Sequence, residues 1–292
     1  MTKPDFIIIG AMKCATSTLH AQLALQRGVF MTTPKEPNYF SDDAHYAKGE
    51  AWYSGLFQPA QAGDICGESS THYTKLPDYP LTVERMVKRL DKIKLIYVIR
   101  HPIDRLVSHY IHQWSENVFK CDINEAIDRY EELTAYSCYA RQLSPYIKQF
   151  GKENVLLVFT EAIRREPQKQ LENIAEFIGY EGEVNWYDDL EPQNVSRQRI
   201  RAFPGYKLLV ESNMMTTLRR ALVPKALRER VKKRFTLQHR PVIDEQHLAQ
   251  LKRIFNEDLL QLDNWMGVNI TCDNYSEVVL GQRLDPLTNV EA

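Results

Sequence analysis

The sequence predicts an α/β domain in which a central parallel sheet lies between layers of helices. Three short apolar runs, Phe6–Ile9, Ile93–Ile99 and Val155–Phe159, are rich in branched residues and read as strands buried on both faces. Each is followed by a stretch with apolar residues at helical spacing, so strand and helix alternate along the chain. The 292 residues suffice for one large core, and no repeat or low-complexity linker divides them, so a single domain over 1–292 is expected.

Phe6-Ile7-Ile8-Ile9 ends at Gly10, and a turn rich in Thr and Ser leads to a helix carrying Leu19 and Leu23 at i, i+4. The second strand ends at Arg100-His101-Pro102. Pro102 suits the first turn of a helix, whose core face carries Leu106, Val107, Tyr110 and Ile111. After the third strand, Pro167 opens a helix with Leu171, Ile174, Ala175 and Ile178, closed by Gly179 in the C′ position. Asp244 is a good N-cap for a last helix with the stripe Leu248, Leu251, Phe255, Leu259 and Leu262, ending before Gly267. These stripes read as core. The stretch from about 180 to 240 is irregular.

The formal net charge of −1 excludes nucleic-acid binding by bulk electrostatics, so any anion site must be local. The apolar run at the N-terminus is too short for a signal peptide or a membrane span, and a soluble cytoplasmic protein is the expectation. Five scattered cysteines without a CxxC pair argue for reduced thiols, against a disulfide framework and against a structural zinc site.

Gly10-Ala11-Met12-Lys13-Cys14-Ala15-Thr16-Ser17-Thr18 joins the first strand to its helix. Backbone amides at a helix N-terminus, a lysine and three hydroxyls are the chemistry of a phosphate or phosphosulfate site. The other reading is a plain connection with a Thr or Ser cap. GxxxxGK[ST] does not match: Lys13 precedes the hydroxyl cluster and the second glycine is missing. The second strand ends at Arg100, where a nucleotide kinase would place an Asp for magnesium. A nucleotide kinase or related phosphotransferase is therefore the weaker alternative, and a non-catalytic nucleotide-binding module is a third.

Strand, lysine loop and the stretch Arg100-His101-Pro102-Ile103-Asp104-Arg105-Leu106-Val107-Ser108 together resemble the PAPS-dependent sulfotransferases, in a bacterial branch related to the carbohydrate and heparan-type enzymes. The resemblance runs from Phe6 to about Gly267 and implies a P-loop-like three-layer sandwich. It implies 3′-phosphoadenosine 5′-phosphosulfate (PAPS) as co-substrate, PAP as product and no metal. By that resemblance Lys13 contacts the bridging oxygen and the sulfuryl group. Cys14, Ala15, Thr16, Ser17 and Thr18 surround the 5′-phosphate, and Arg100 with Ser108 clamps the 3′-phosphate. Ala15 replaces a common glycine, and close approach of the backbone then requires its φ to stay negative.

Pro34-Lys35-Glu36-Pro37-Asn38-Tyr39-Phe40 resembles the K-E-x-x-F-F segment of the carbohydrate branch, which implies Glu36 as general base. A surface Glu beside a Lys is the other reading. Gly67-Glu68-Ser69-Ser70-Thr71-His72-Tyr73 resembles a G-E-K-S/T-x-x-Y segment, but Ser69 stands where the lysine belongs. Lys75 is the residue that could compensate, and His72 is the second candidate base. Ser137–Leu143 and Phe150–Val155 resemble the middle of bacterial members, and Asn194-Val195-Ser196 resembles a loop near the substrate cleft. Gln238-His239-Arg240-Pro241 resembles a late loop that closes over PAPS, which points to Arg240. The implied acceptor is a glycan, another hydroxyl-bearing (or amine-bearing) small molecule, or a lipid. Residues 219–234 hold eight Lys or Arg and one Glu, which fits an acidic acceptor, an anionic membrane surface, or a solvated helix face.

Overall fold

The structure, a computed structural model, describes residues 3–190 and 239–281. Five parallel strands, β1 (Phe6–Gly10), β2 (Val29–Met31), β3 (Ile65–Ser69), β4 (Lys94–Ile99) and β5 (Val155–Phe159), form one sheet in the order β2-β3-β1-β4-β5. The three expected strands are present within one residue of their expected ends. All of β1 and β5 is buried, because helices cover both faces of the sheet.

The sequence reading omits β2 and β3 for physical reasons. β2 has only three residues. β3 carries Gly67 and Glu68 in its interior, which breaks the apolar run. Gly67 is required there, since a Cβ would lie 2.2 Å from Cζ of Phe6 on the neighbouring strand.

Between and after the strands come α1 (Thr16–Ala24), α2 (Asp43–Tyr46), α3 (Gly49–Gly55), α4 (Thr82–Val87), α5 (Pro102–Ser115), α6 (Ile123–Arg129) and α7 (Glu131–Ala135). α8 (Tyr139–Phe150), α9 (Thr160–Arg165), α10 (Pro167–Phe177), α11 (Glu245–Met266) and α12 (Tyr275–Gly281) follow. The punctuation acts as the sequence predicts. Pro102 and Pro167 occupy first turns, and Gly179 (φ 76°) and Gly267 (φ 67°) end their helices left-handed. The Asp244 carboxylate accepts from the His247 N–H at 2.9 Å. Leu251, Phe255, Leu259 and Leu262 are buried, and Leu248 is half-buried. α2, α3 and α4 carry no sequence signal, since with four to seven residues they are too short to display a period.

From β1 the chain runs to β2 and β3 on one side, then crosses to β4 and β5 on the other. At such a reversal the connections diverge and open a crevice beyond the carboxyl ends of the strands. The segments that follow β1, β3, β4 and β5 all reach this crevice. Among the described residues no helix is long and apolar enough to cross a membrane. All five cysteines are unpaired. Asn194-Val195-Ser196, the basic stretch 219–234 and Gln238 lie outside the described residues.

Candidate active site

The crevice is a cleft of about 1450 Å³. Lys13, Ala15, Thr16, Ser17 and Thr18 line it from the β1–α1 connection. Gly10 is needed at the end of β1, where φ is 153° and a Cβ would lie 2.0 Å from Thr74 Oγ1. That hydroxyl donates to the Ile9 carbonyl at 2.9 Å and ties the segment after β3 to β1.

Two details of this loop correct the sequence reading. Ala15 does not keep a negative φ: it is left-handed at 62°, as Lys13 is at 72°. Left-handed residues in a turn swing successive N–H groups into one concavity, which suits an anion. The cap reading fails as well, since α1 starts at Thr16 and its N-cap is Ala15, which has no side-chain oxygen. No acidic residue occupies the first turn. The positive end of α1 thus faces the cleft. Cys14 differs from its neighbours: its side chain is fully buried, away from the cleft lining, and burial pushes its thiol up to about 12.

Arg100 leaves β4 at the opposite rim, and Ser108 lies buried two turns along α5, lining the same cleft. Arg100 Nη2 is 3.6 Å from Asp104, and Arg240 pairs with the same carboxylate. Burial raises the Asp104 carboxyl, but the hydrogen bond from Arg240 and the charges of Arg100 and Arg240 outweigh it and hold it below its ordinary value. Arg100 Nε is buried with no hydrogen-bond partner among the described residues. Two guanidiniums converging on one carboxylate, with a donor still unmet, make a seat for a larger anion.

Glu36 enters from the other side. It and Asn38 are left-handed, at φ 60° and 50°. Of the five non-glycine residues with positive φ among those described, four (Lys13, Ala15, Glu36, Asn38) lie in these two loops, and strain of this kind gathers at functional sites. The Glu36 loop is pinned to the segment that ends β3: Glu36 N–H donates to Ser69 O at 2.9 Å and Asn38 N–H to Ser70 Oγ at 3.0 Å. The Glu36 carboxylate accepts from Lys35 Nζ at 2.8 Å and from Thr71 Oγ1 at 3.2 Å. Burial raises it, but Lys35, Lys75 and His72 together pull it below its ordinary value, so it is ionised at neutral pH. His72 lines the cleft nearby, stacked on Tyr79 at 4.8 Å. Burial, and then the charge of Lys75, lower its pKa to about 4, so it is a neutral, weak base.

Ser69 is fully buried, shares a hydrogen bond of 2.9 Å with His20 Nδ1, and is not part of the cleft lining. Lys75 is part of that lining. Two further residues escape sequence reasoning. Glu68 is fully buried and accepts from Tyr53 (2.8 Å), Tyr73 (2.9 Å) and Ser70 (3.1 Å). Arg105 is fully buried under α7, donating to Ser137 Oγ at 2.5 Å and Leu133 O at 2.6 Å. A charged residue inside a buried segment is the sequence signal that could have flagged each of them.

The model of the sulfotransferase domain family matches residues 3–259 of the chain. Similar curated proteins include heparan sulfate glucosamine 3-O-sulfotransferase 3B1 of Mus musculus, 29% identical over 185 residues, which cover 60% of this chain and 46% of that protein. The bifunctional heparan sulfate N-deacetylase/N-sulfotransferase 1 of the same species is 25% identical over 207 residues, covering 64% of this chain and 23% of that protein. The chain thus spans about half or less of the length of these relatives. A sulfotransferase crystal structure from Alicyclobacillus acidocaldarius superposes with a TM-score of 0.62 at 21% identity, covering 90% of this chain and 95% of that one, and shows the same fold.

Proposed function

The chain belongs to the sulfotransferase family, and from that premise we propose that it moves a sulfuryl group from PAPS to a hydroxyl of a carbohydrate acceptor. The observation that carries this reading is the convergence on one cleft of an amide-lined loop with Lys13, the Arg100–Ser108 rim and an ionised Glu36. The donor supplies an activated sulfuryl group on a phosphosulfate. Lys13 and the amides of the β1–α1 loop hold its 5′ end and stabilise charge on the bridging oxygen as the S–O bond breaks. Arg100, Ser108 and, from the segment before α11, Arg240 hold the 3′-phosphate in place of Asp104. A bond forms between the acceptor oxygen and sulfur, the bridging bond breaks, and the acceptor proton passes to the Glu36 carboxylate.

Glu36 is favoured over His72 because its carboxylate is held at the cleft by Lys35 and Thr71, whereas His72 Nδ1 is buried with no hydrogen-bond partner among the described residues. The carbohydrate acceptor is supported by the names of the similar proteins, which act on heparan sulfate. The test is transfer of ³⁵S from labelled PAPS to a panel of desulfated and neutral oligosaccharides. Glu36→Gln should lower turnover by about 10²–10⁴-fold with PAP binding unchanged. An active Glu36→Gln beside an inactive His72→Ala would transfer the role of base to His72.

A further inference from the structure

We propose that Lys75 is a second cation of the transfer centre, its ammonium meeting the non-bridging oxygens of the sulfuryl group beside Lys13. This rests on the sulfotransferase reading above. β1 and β3 are hydrogen-bonded neighbours, so Lys13 after β1 and Lys75 after β3 leave adjacent strand ends into one cleft. Ser69, in β3 itself, is turned into the protein toward His20 and contributes no charge to the cleft.

The backbone that carries Lys75 is clamped on both sides. Thr74 Oγ1 donates to Ile9 O at 2.9 Å. The Gln142 side chain accepts from Leu76 N–H at 2.7 Å and donates to Leu76 O at 2.9 Å. A cation on such a platform is positioned before any ligand arrives.

Lys75 is 9% exposed, and its ammonium lies 5.8 Å from the centroid of the Tyr136 ring. The carboxylates whose fields reach it are engaged elsewhere: Glu36 by Lys35 and Thr71, Asp78 by the Tyr136 hydroxyl. Among the described residues the Lys75 ammonium has no hydrogen bond and no ion pair within 4.0 Å. An ammonium withdrawn from water without a paired anion is unfavourable, and burial pulls its pKa down to about 8 against the pull of Glu36 and Asp78. A buried cation in a cleft, short of a counter-ion in the free protein, suits a ligand that brings the anion.

Inorganic sulfate is the probe, added by calorimetry to the preformed PAP complex. For Lys75→Met, a substitution that keeps the apolar stem, PAP affinity should stay within about twofold while sulfate affinity falls about tenfold or more, the loss of one charge-assisted hydrogen bond. A parallel measurement on the unaltered protein avoids any folding effect: acetylation of Lys75 by acetic anhydride, mapped by mass spectrometry, should slow several-fold when sulfate joins PAP. Sulfate binding unchanged in Lys75→Met, or acetylation indifferent to sulfate, overturns the role of Lys75 and leaves the sulfotransferase reading standing. A wild-type protein that fails to bind PAP overturns both.

Discussion

Replacing Glu68 by Gln should make the protein more stable in alkaline solution and less stable in acid. The Glu68 carboxyl is fully buried, and burial pushes its pKa from 4.5 to about 7 against the three hydroxyls that hydrogen-bond it. Below pH 4.5 folded and unfolded chains both carry the proton, and Glu68 adds no pH-dependent term. Between 4.5 and 7 the unfolded chain releases the proton and the folded one keeps it, so stability falls as pH rises. Above 7 both are ionised and the full penalty stands. At about 1.4 kcal/mol per tenfold change in proton affinity, it amounts to roughly 3 kcal/mol.

Gln carries no such proton. Its Oε1 can still accept from Tyr53 and Tyr73, which both bond Oε1 of Glu68. Its Nε2 replaces the oxygen that accepts from Ser70, whose own Oγ already accepts from Asn38 N–H, and the loss of that bond costs about 1 kcal/mol. Glu68→Gln should therefore be about 2 kcal/mol more stable than wild type at pH 8.5 and about 1 kcal/mol less stable at pH 4. Urea denaturation followed by tryptophan fluorescence at the two pH values measures the difference, and other titrating groups cancel between the proteins. A difference that does not change with pH would refute the reasoning.

Other expectations concern the cleft. Arg100→Ala should weaken PAP binding by about 30-fold or more while Glu36→Gln leaves it within about twofold; equal losses by calorimetry would contradict the division of roles. Asp104→Asn releases Arg100 and Arg240 from their shared carboxylate and should tighten PAP binding at low salt by up to about fivefold; weaker binding would show that Asp104 orients the arginines in the complex too. Ala15→Gly removes a left-handed Cβ that costs about 1–2 kcal/mol and adds about 0.5–1 kcal/mol of chain entropy. A small rise in Tm is expected, and a fall would contradict the strained loop. With Glu36 held below its ordinary value, the acid limb of turnover should begin only below the ordinary carboxylate range of about pH 4.3; a limb between about pH 6 and 7 would contradict Glu36 as the base.

What the sequence made legible follows physical scale. β1, β4 and β5 are buried on both faces, so their apolar runs stand out, and Pro102, Pro167, Gly179, Asp244 and Gly267 mark helix ends through their own backbone chemistry. β3 is hidden because one strand carries both a glycine that Phe6 overlies and a carboxylate that serves the interior. The Glu68 cluster was illegible because its partners, Tyr53 and Tyr73, come from α3 and from the turn after β3, and no local spacing links them. Ala15 looked like a tolerable replacement for glycine with negative φ, because the left-handed turn is imposed by the loop as a whole. The replacement of a lysine by Ser69 was visible in the chain, but only the fold shows that position 69 faces inward and position 75 faces the cleft.

The central claim is that this cleft takes a nucleotide bearing a 3′-phosphate as the donor of a sulfuryl group. Calorimetric titration with PAP and with ATP, both without magnesium, tests it most directly. Binding of PAP much tighter than that of ATP is the expected result, since Arg100 and Ser108 have no phosphate to hold in ATP. Preference for ATP, or no binding of PAP, would contradict the claim.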